Sequence, residues 1–374
     1  MSLVFTAEEL RFRDEVRRAL EPWRDLGGFF FQNRNWPRVR EFFRDLGARG
    51  WLSLAWPREL GGEGRSLRHE YLLWDECARA RVARPPLSAG IVARTLIRHG
   101  TPAQQERWLP GIRAGEIHFS LGYSEPGAGS DLAGLRTRAE RHGDCYRVRG
   151  EKCWTSYAGC SDYLWLLCRT GSPESRGRGL SLLILDLRAP GVTVSPLPTL
   201  DDECLFEVRL DDVEVPVEHR IGPENGAWRM MAAALADERH VQFPPGRLWR
   251  DLEEVAAWFG ERGRLREPEV RRALAGLAAE VEAAEALALR VLAEMEAGAD
   301  AAVSAAANKV VHTELCQQIA RTAVELGGEP ALLREAPLEM LFRQSIWETI
   351  GGGTSEIMRS VVARALGLPP EGRH

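Results

Sequence analysis

The residues best suited to binding chemistry lie in one short stretch, residues 120–131, which reads SLGYSEPGAGSD. An alternating apolar run ends there at a proline, which offers no N–H donor. Gly127 and Gly129 permit positive φ, so we expect the backbone N–H groups of this turn to converge on one point. The hydroxyls of Ser124 and Ser130 flank the turn. Such a turn suits a phosphate or the polar edge of a ring, although many turns of this composition only reverse the chain.

Two further stretches carry residues that could contact a ligand. Residues 146–152 read YRVRGEK and lead directly into Trp154, Thr155 and Ser156. Far downstream, residues 351–357 read GGGTSEI. On its own, Trp154 is more typical of an apolar core than of the face of a bound ring.

Other reaction types find little support in the residue pattern. His240 and His312 stand alone, and no set of His, Cys, Asp or Glu has the spacing of metal ligands, so no metal is predicted. Neither Ser124 nor Ser130 lies in a G-x-S-x-G context, which argues against nucleophilic hydrolysis.

Composition bounds the protein class. The chain has 374 residues and a net charge of −5, which predicts two or three domains and gives no reason to expect a nucleic-acid partner. Neither an N-terminal signal peptide nor a membrane-spanning run is apparent. Seven cysteines without C-x-x-C spacing are expected to be reduced thiols in a cytoplasmic protein.

The hydrophobic periodicity divides the chain into three parts. Helical patterns fill residues 1–118, including capping boxes that begin at Thr6 and Thr101. Short alternating runs separated by turn residues fill 119–223 and predict a β-barrel or sandwich. Helical patterns return in 224–374, where we expect one helix over 226–242, a heptad seam over 274–295, an Ala-rich helix over 301–326 and a last helix over 354–366. The predicted fold class is therefore α+β multidomain: an N-terminal all-α domain, a middle β domain and a C-terminal four-helix bundle.

The three motifs, in this order, resemble those of the acyl-CoA dehydrogenases, which are FAD-dependent enzymes. The family pattern reads roughly T/S-E-P-x-A/S-G-S-D, then N-G-x-K-x-W-I-T/S, then G-T-S-x-I-x-R, and the resemblance covers nearly the whole chain. It implies the same three-part fold, with the flavin between the β domain and the C-terminal bundle. It also implies dehydrogenation of an acyl-CoA thioester, with electrons passed on to an electron-transfer flavoprotein.

The resemblance also implies roles for individual residues. Those expected to bind the cofactor FAD are Leu121, Tyr123, Ser124, Gly129, Ser130, Trp154, Thr155, Ser156, Thr354 and Glu356. Those expected near the acyl-CoA substrate are Ser130, Asp237, Arg239 and Gly353.

The catalytic base is where this chain departs from most of the family. Many members carry a Glu immediately before the Gly-Thr of the last motif, but this chain has Gly352 there. A subset instead places the Glu before an Arg on the first helix of the C-terminal domain, where this chain has Glu238 and Arg239. The resemblance to that subset implies that Glu238 is the base, with Asp237 and Glu348 as weaker alternatives.

A second departure concerns the cofactor contacts between subunits. The R-K-x-F-G stretch of many members has no convincing match near Trp258, and Val324 occupies the position of a family Gln. These changes leave three possibilities open: a homotetramer with compensating loops, a hetero-oligomer with a paralogue, or a non-catalytic partner subunit. An acyl-CoA oxidase or a flavin monooxygenase on the same fold is the other alternative. The motifs do not specify the acyl chain.

Overall fold

The computed structural model describes residues 5–26, 35–201, 204–334 and 336–368. Five α-helices precede the strands: α1 (Ala7–Leu20), α2 (Trp36–Ala48), α3 (Leu67–Arg79), α4 (Ala93–His99) and α5 (Pro102–Arg113). The strands are β1 (Phe119–Gly122), β2 (Arg138–His142), β3 (Cys145–Lys152), β4 (Tyr163–Arg169), β5 (Leu180–Asp186), β6 (Val192–Pro198), β7 (Cys204–Pro216) and β8 (Arg220–Ile221). Seven helices follow: α6 (Ala227–Asp237), α7 (Arg239–Gln242), α8 (Pro245–Glu261), α9 (Pro268–Glu296), α10 (Ala302–Gly327), α11 (Pro337–Ser345) and α12 (Ser355–Ala365). The predicted order of helical, β and helical parts is confirmed.

The described residues form two compact units. The first, here called the sheet unit, comprises Phe31–Arg65 and Pro85–Glu238, and therefore contains α2, α4, α5, all the strands and α6. The second, the bundle unit, comprises Met1–Phe30, Ser66–Arg84 and Arg239–His374, and contains α1, α3 and α7 to α12. The chain passes from one unit to the other directly after Glu238.

The sheet unit is built around one eight-stranded sheet in the order β6-β7-β3-β2-β4-β5-β8, with β1 pairing in parallel with β4. Strands β4 and β5 are continuous apolar runs because they are buried along nearly their whole length. Strand β6 instead alternates between exposed and half-buried residues, as a strand at the sheet edge does. The sheet thus holds β1 and β3, which carry the first two motifs, in fixed positions.

The bundle unit has a core of apolar side chains from α8, α9, α10 and α11. The predicted heptad positions Leu277, Val281 and Ala284 are buried in α9, in the same core as Leu315 and Ile319 of α10. Burying this stripe along two long helices stabilises the bundle by roughly 1.5–3 kcal/mol for each large apolar side chain.

Several local predictions are confirmed in detail. The N-terminal capping boxes at Thr6 and Thr101 are both present, each with its two reciprocal hydrogen bonds.

The helix expected over 226–242 is wrong as a single element, since α6 ends at Asp237 and α7 begins at Arg239. Helices α8 and α11 and strand β2 were not predicted. Among the described residues, no helix combines the length and the apolar character that crossing a bilayer requires.

Candidate functional site

The first two motifs meet in the sheet unit. The backbone N–H of Cys153 donates a hydrogen bond of 3.0 Å to the carbonyl of Ser124. The ammonium of Lys152 donates to the carbonyl of Tyr123, also at 3.0 Å. Because these contacts join the end of β3 to the segment after β1, the stretches 121–124 and 154–156 lie side by side, although they are well separated in sequence.

A buried ion pair fixes this junction. Lys152 has no exposed surface, and its ammonium lies 3.0 Å from Oε1 of Glu125. Glu125 also accepts the backbone N–H groups of Arg136 and Thr137 at 2.6 and 2.8 Å. Protein donors thus surround the carboxylate, so this pair serves structure rather than ligand binding.

The pKa values of the pair follow from this geometry. Burial lowers the pKa of Lys152, and the negative charge of Glu125 opposes that effect. Burial alone would raise the pKa of Glu125, but Lys152 and the hydrogen bonds from Thr137 and Arg136 together hold its pKa below the ordinary value. Each charge of the pair thus offsets the cost of burying the other.

The turn after β1 does not form the expected nest of N–H groups. Glu125 and Ala128 exchange two backbone hydrogen bonds of 3.1 and 3.0 Å, which closes a tight turn. Neither Gly127 nor Gly129 has positive φ, and a Cβ on either would meet nothing within 4 Å. The prediction of converging N–H groups is wrong because the turn satisfies its own donor and acceptor. Gly129 and Ser130 are both exposed at its surface.

Trp154 and Thr155 present an unusual surface beside this junction. Trp154 is 60% exposed and has a φ of 58°, a conformation that a bulky side chain rarely adopts. The Thr155 hydroxyl is buried without a hydrogen-bond partner among the described residues, although its backbone N–H donates to the carbonyl of Phe206. An exposed aromatic face next to a buried, unsatisfied hydroxyl is suited to a planar ligand with a polar edge.

The other predicted residues of the β domain lie around these two. Leu121 is half-buried in β1, in register with Trp165 of β4. The Tyr123 hydroxyl is buried. Ser124 and Ser156 are both half-buried. The structure therefore brings Leu121, Tyr123, Ser124, Thr155 and their neighbours together at the joined ends of β1 and β3.

Glu238 lies in the break between α6 and α7 and is 2% exposed. Its carboxylate packs against Gly90, where an added Cβ would fall 2.0 Å from Oε1 of Glu238. Burial raises the pKa of Tyr123, and the negative charge of Glu238 adds to that effect. Glu238 is thus directed inward, in the same unit as the two joined motifs. The side chains of Asp237 and Arg239 lie outside the described residues.

Sequence patterns did not identify Gly90. It lies in a π-helical turn, Ser88–Val92, within the stretch that the apolar period predicted as helical. Its partner Glu238 is far away in the sequence, so only the folded chain shows the contact.

The last motif lies in the bundle unit, at the beginning of α12. Gly352 and Gly353 have φ values of 67° and 92°, which explains the need for glycine there. Thr354 caps α12 by accepting the N–H of Ile357 at 3.2 Å. Glu356 is exposed in the first turn, and hydrogen bonds to its own N–H and to Thr354 lower its pKa. The capping geometry alone accounts for Thr354, whether or not a ligand is present.

The alternative base, Glu348, is committed to ion pairs. It is 4% exposed, contacts Arg247 closely and lies 3.5 Å from Arg84. Two guanidinium groups already occupy this carboxylate, so it holds the interior of the bundle unit together rather than facing a substrate. This geometry makes Glu348 a weaker candidate than Glu238.

The positions that depart from the family pattern belong to the bundle itself. Trp258 is part of the apolar core, and the guanidinium of Arg262 stacks on its ring at 3.8 Å. Val324 is also buried in that core. Neither position presents a polar group of the kind that would contact a pyrophosphate or an adenosine.

Comparison with known proteins identifies the same family in every part of the chain. Three family models match in succession: the acyl-CoA dehydrogenase N-terminal domain over residues 6–116, the middle domain over 120–213 and the C-terminal domain over 225–367. The chain is 38% identical over 356 residues to the acyl-CoA dehydrogenase FadE26 of Mycobacterium tuberculosis, a match that covers 89% of each chain.

Solved structures of similar proteins extend over the whole chain. A structure described as the Tcur3481-Tcur3483 steroid ACAD is 36% identical with a TM-score of 0.92, and covers 99% of this chain and 100% of that one. The ChsE4-ChsE5 complex from Mycobacterium tuberculosis is 34% identical with a TM-score of 0.89, and again covers 99% and 100%.

Proposed function

This chain belongs to the acyl-CoA dehydrogenase family, and we propose that it dehydrogenates an acyl-CoA thioester with Glu238 as the catalytic base. The observation that carries the proposal is the burial of the Glu238 carboxylate against Gly90, in the same unit as the joined motifs. A carboxylate shielded from water can accept a proton directly from a bound substrate.

The chemistry requires a base and an electron acceptor at one place. The carboxylate of Glu238 takes the proton from the carbon next to the thioester carbonyl. No side chain accepts a hydride, so the flavin of this FAD-dependent family, when bound, supplies the acceptor for the hydrogen on the next carbon. Preorganised donors to the thioester oxygen supply the largest stabilising contribution in sites of this kind.

The residues at the junction of β1 and β3 fit the flavin. Thr155 offers a buried hydroxyl with no partner among the described residues, and Trp154 offers an exposed ring. Leu121, Tyr123, Ser124 and Ser156 complete this surface, while Gly129 and Ser130 lie at its exposed edge. Thr354 and Glu356 would lie near the adenosine half of FAD. Ser130, Asp237, Arg239 and Gly353 would contact the acyl-CoA.

The assembly is part of the proposal. We expect three sequence domains, 1–118, 119–223 and 224–374, within a tetramer. The apolar surroundings of Trp258 and Val324 favour a hetero-oligomer, in which a paralogue supplies the polar cofactor contacts. The descriptions of the two similar structures each name a pair of proteins, which supports testing co-expression with a neighbouring paralogue first. An electron-transfer flavoprotein is the expected electron acceptor.

The decisive experiment compares the wild type with Glu238→Gln. Each protein is purified with its bound flavin and mixed anaerobically with a panel of acyl-CoAs, including straight-chain and steroid-derived thioesters. The substitution is expected to retain the flavin spectrum but to slow flavin bleaching by a factor of about 10²–10⁴. The control is Glu282→Gln on the exposed face of α9, which should bleach at the wild-type rate. Rapid flavin bleaching in Glu238→Gln would show that Glu238 is not the catalytic base.

Two rival functions have distinct outcomes in the same experiment. An oxidase or monooxygenase would reoxidise rapidly when air is admitted to the reduced, product-bound enzyme, whereas a dehydrogenase should reoxidise slowly. A non-catalytic partner subunit would be colourless and would not bleach when it is purified alone.

A further inference from the structure

Gly90 occupies the centre of a π-helical turn that is buried throughout. Ser88, Ala89, Ile91 and Val92 are each at most 9% exposed, and the N–H of Gly90 donates to the carbonyl of Pro86 at 3.1 Å. Short π-helical turns of this kind occur frequently at functional sites. Because its residues are buried, this turn presents a fixed backbone surface.

The backbone does not require glycine at this position. Gly90 does not have positive φ, and glycine within a helix is less favourable than alanine by about 1 kcal/mol. What glycine provides is space. A Cβ at this position would lie 2.0 Å from Oε1, 2.8 Å from Cδ and 3.4 Å from Cγ of Glu238. Contacts below about 3 Å between such atoms are strongly repulsive, so a methyl group and this carboxylate position exclude each other.

We propose that Gly90 is a positioning residue for Glu238: the absence of its side chain determines where the carboxylate lies. The proposal rests on the proposed role of Glu238 as base. The acid thus has a fixed backbone turn as its neighbour. Removing the space at Gly90 moves the carboxylate by about an ångström, and a displacement of that size costs about 10²-fold in rate when a proton must be transferred.

The test is a double-mutant cycle on the full chain with bound flavin. Gly90→Ala is expected to lower the rate of anaerobic flavin bleaching at saturating acyl-CoA by about 10²-fold. Substrate affinity and flavin content should stay near the wild-type values. Glu238→Asp shortens the acid by one carbon–carbon bond, about 1.5 Å, and therefore makes room for the methyl group. In that background, Gly90→Ala should change the bleaching rate by no more than about twofold.

Gly276→Ala on α9 is the matched control, since a Cβ there would meet nothing within 4 Å, and it should behave as the wild type. Two results would overturn the proposal: bleaching at the wild-type rate by Gly90→Ala, or an equal loss from Gly90→Ala in the wild-type and Glu238→Asp backgrounds. If Gly90→Ala fails to fold, recovery of a folded flavoprotein by adding Glu238→Asp supports the contact, and failure of the double variant contradicts it.

The two proposals fail in different ways. If Glu238→Gln bleaches at the wild-type rate, the base assignment is wrong, whatever Gly90→Ala does. If Glu238→Gln is inactive and Gly90→Ala is fully active, only the positioning role of Gly90 is lost.

Discussion

The buried pair of Lys152 and Glu125 offers the sharpest test of how the site is held. Lys152 is fully buried, and its ammonium contacts both Glu125 and the carbonyl of Tyr123. Removing one partner of a buried pair typically costs about 3–5 kcal/mol, because an uncompensated charge remains. In Lys152→Met, the N–H groups of Arg136 and Thr137 still reach Glu125, so we expect the lower end, about 3 kcal/mol.

The assay is a double-mutant cycle of Lys152→Met, Glu125→Gln and the double variant. The stability of each protein is measured by urea unfolding, and its retention of flavin is measured alongside. The double variant leaves no buried charge, so its destabilisation should be smaller than the sum of the two single losses by about 1–3 kcal/mol. Lys152→Met should also lose flavin more readily, since it removes the hydrogen bond from Lys152 to the carbonyl of Tyr123.

Arg138→Met provides the control, because Arg138 pairs with Glu140 at 2.7 Å on the exposed surface of the same sheet. Water screens an exposed pair of this kind, so its loss should barely change the stability. The reasoning is refuted if Lys152→Met is as stable as that control, or if the two single losses are simply additive.

Three further predictions concern pH and the bundle. Burial, reinforced by Arg40, lowers the pKa of His118 to about 4, so His118 is neutral when folded and protonation favours the unfolded state. The contribution of His118 to the free energy of unfolding should be complete above about pH 6.5 and should fall by about 3 kcal/mol as the pH decreases towards 4. The free energy of unfolding of His118→Phe, measured in urea, should lack this dependence on pH. Glu348→Gln should destabilise the bundle unit by about 3 kcal/mol yet permit acyl-CoA-dependent bleaching in the folded fraction. Bleaching lost at unchanged stability would instead identify Glu348 as the base. Thr354→Ala should lower the stability by about 1 kcal/mol, measured by thermal unfolding, because it removes the hydroxyl that caps α12. Thr354→Ser should lower the stability much less, because the serine hydroxyl can form the same cap. Equal losses in the two variants would mean that the cap does not stabilise this end of the helix.

Local sequence patterns predicted most of the secondary structure. Strands β1 to β8 all lie within the β region predicted over 119–223, and α9 and α10 contain the predicted seam and most of the Ala-rich helix. The failures lie where tertiary contacts override periodicity. The helix expected over 226–242 breaks at Glu238, although its apolar period continues, because that residue turns inward to a buried position.

The sequence alone determined the family, the order of helical and β parts, and the residue types at the three motifs. Those features depend on short-range spacing, which a linear chain displays directly. Only the tertiary structure decided which residues meet: Cys153 with Ser124, Lys152 with Glu125 and Gly90 with Glu238. The physical reason is that each contact depends on packing between segments far apart in the chain, and no local pattern encodes the space left by a missing Cβ.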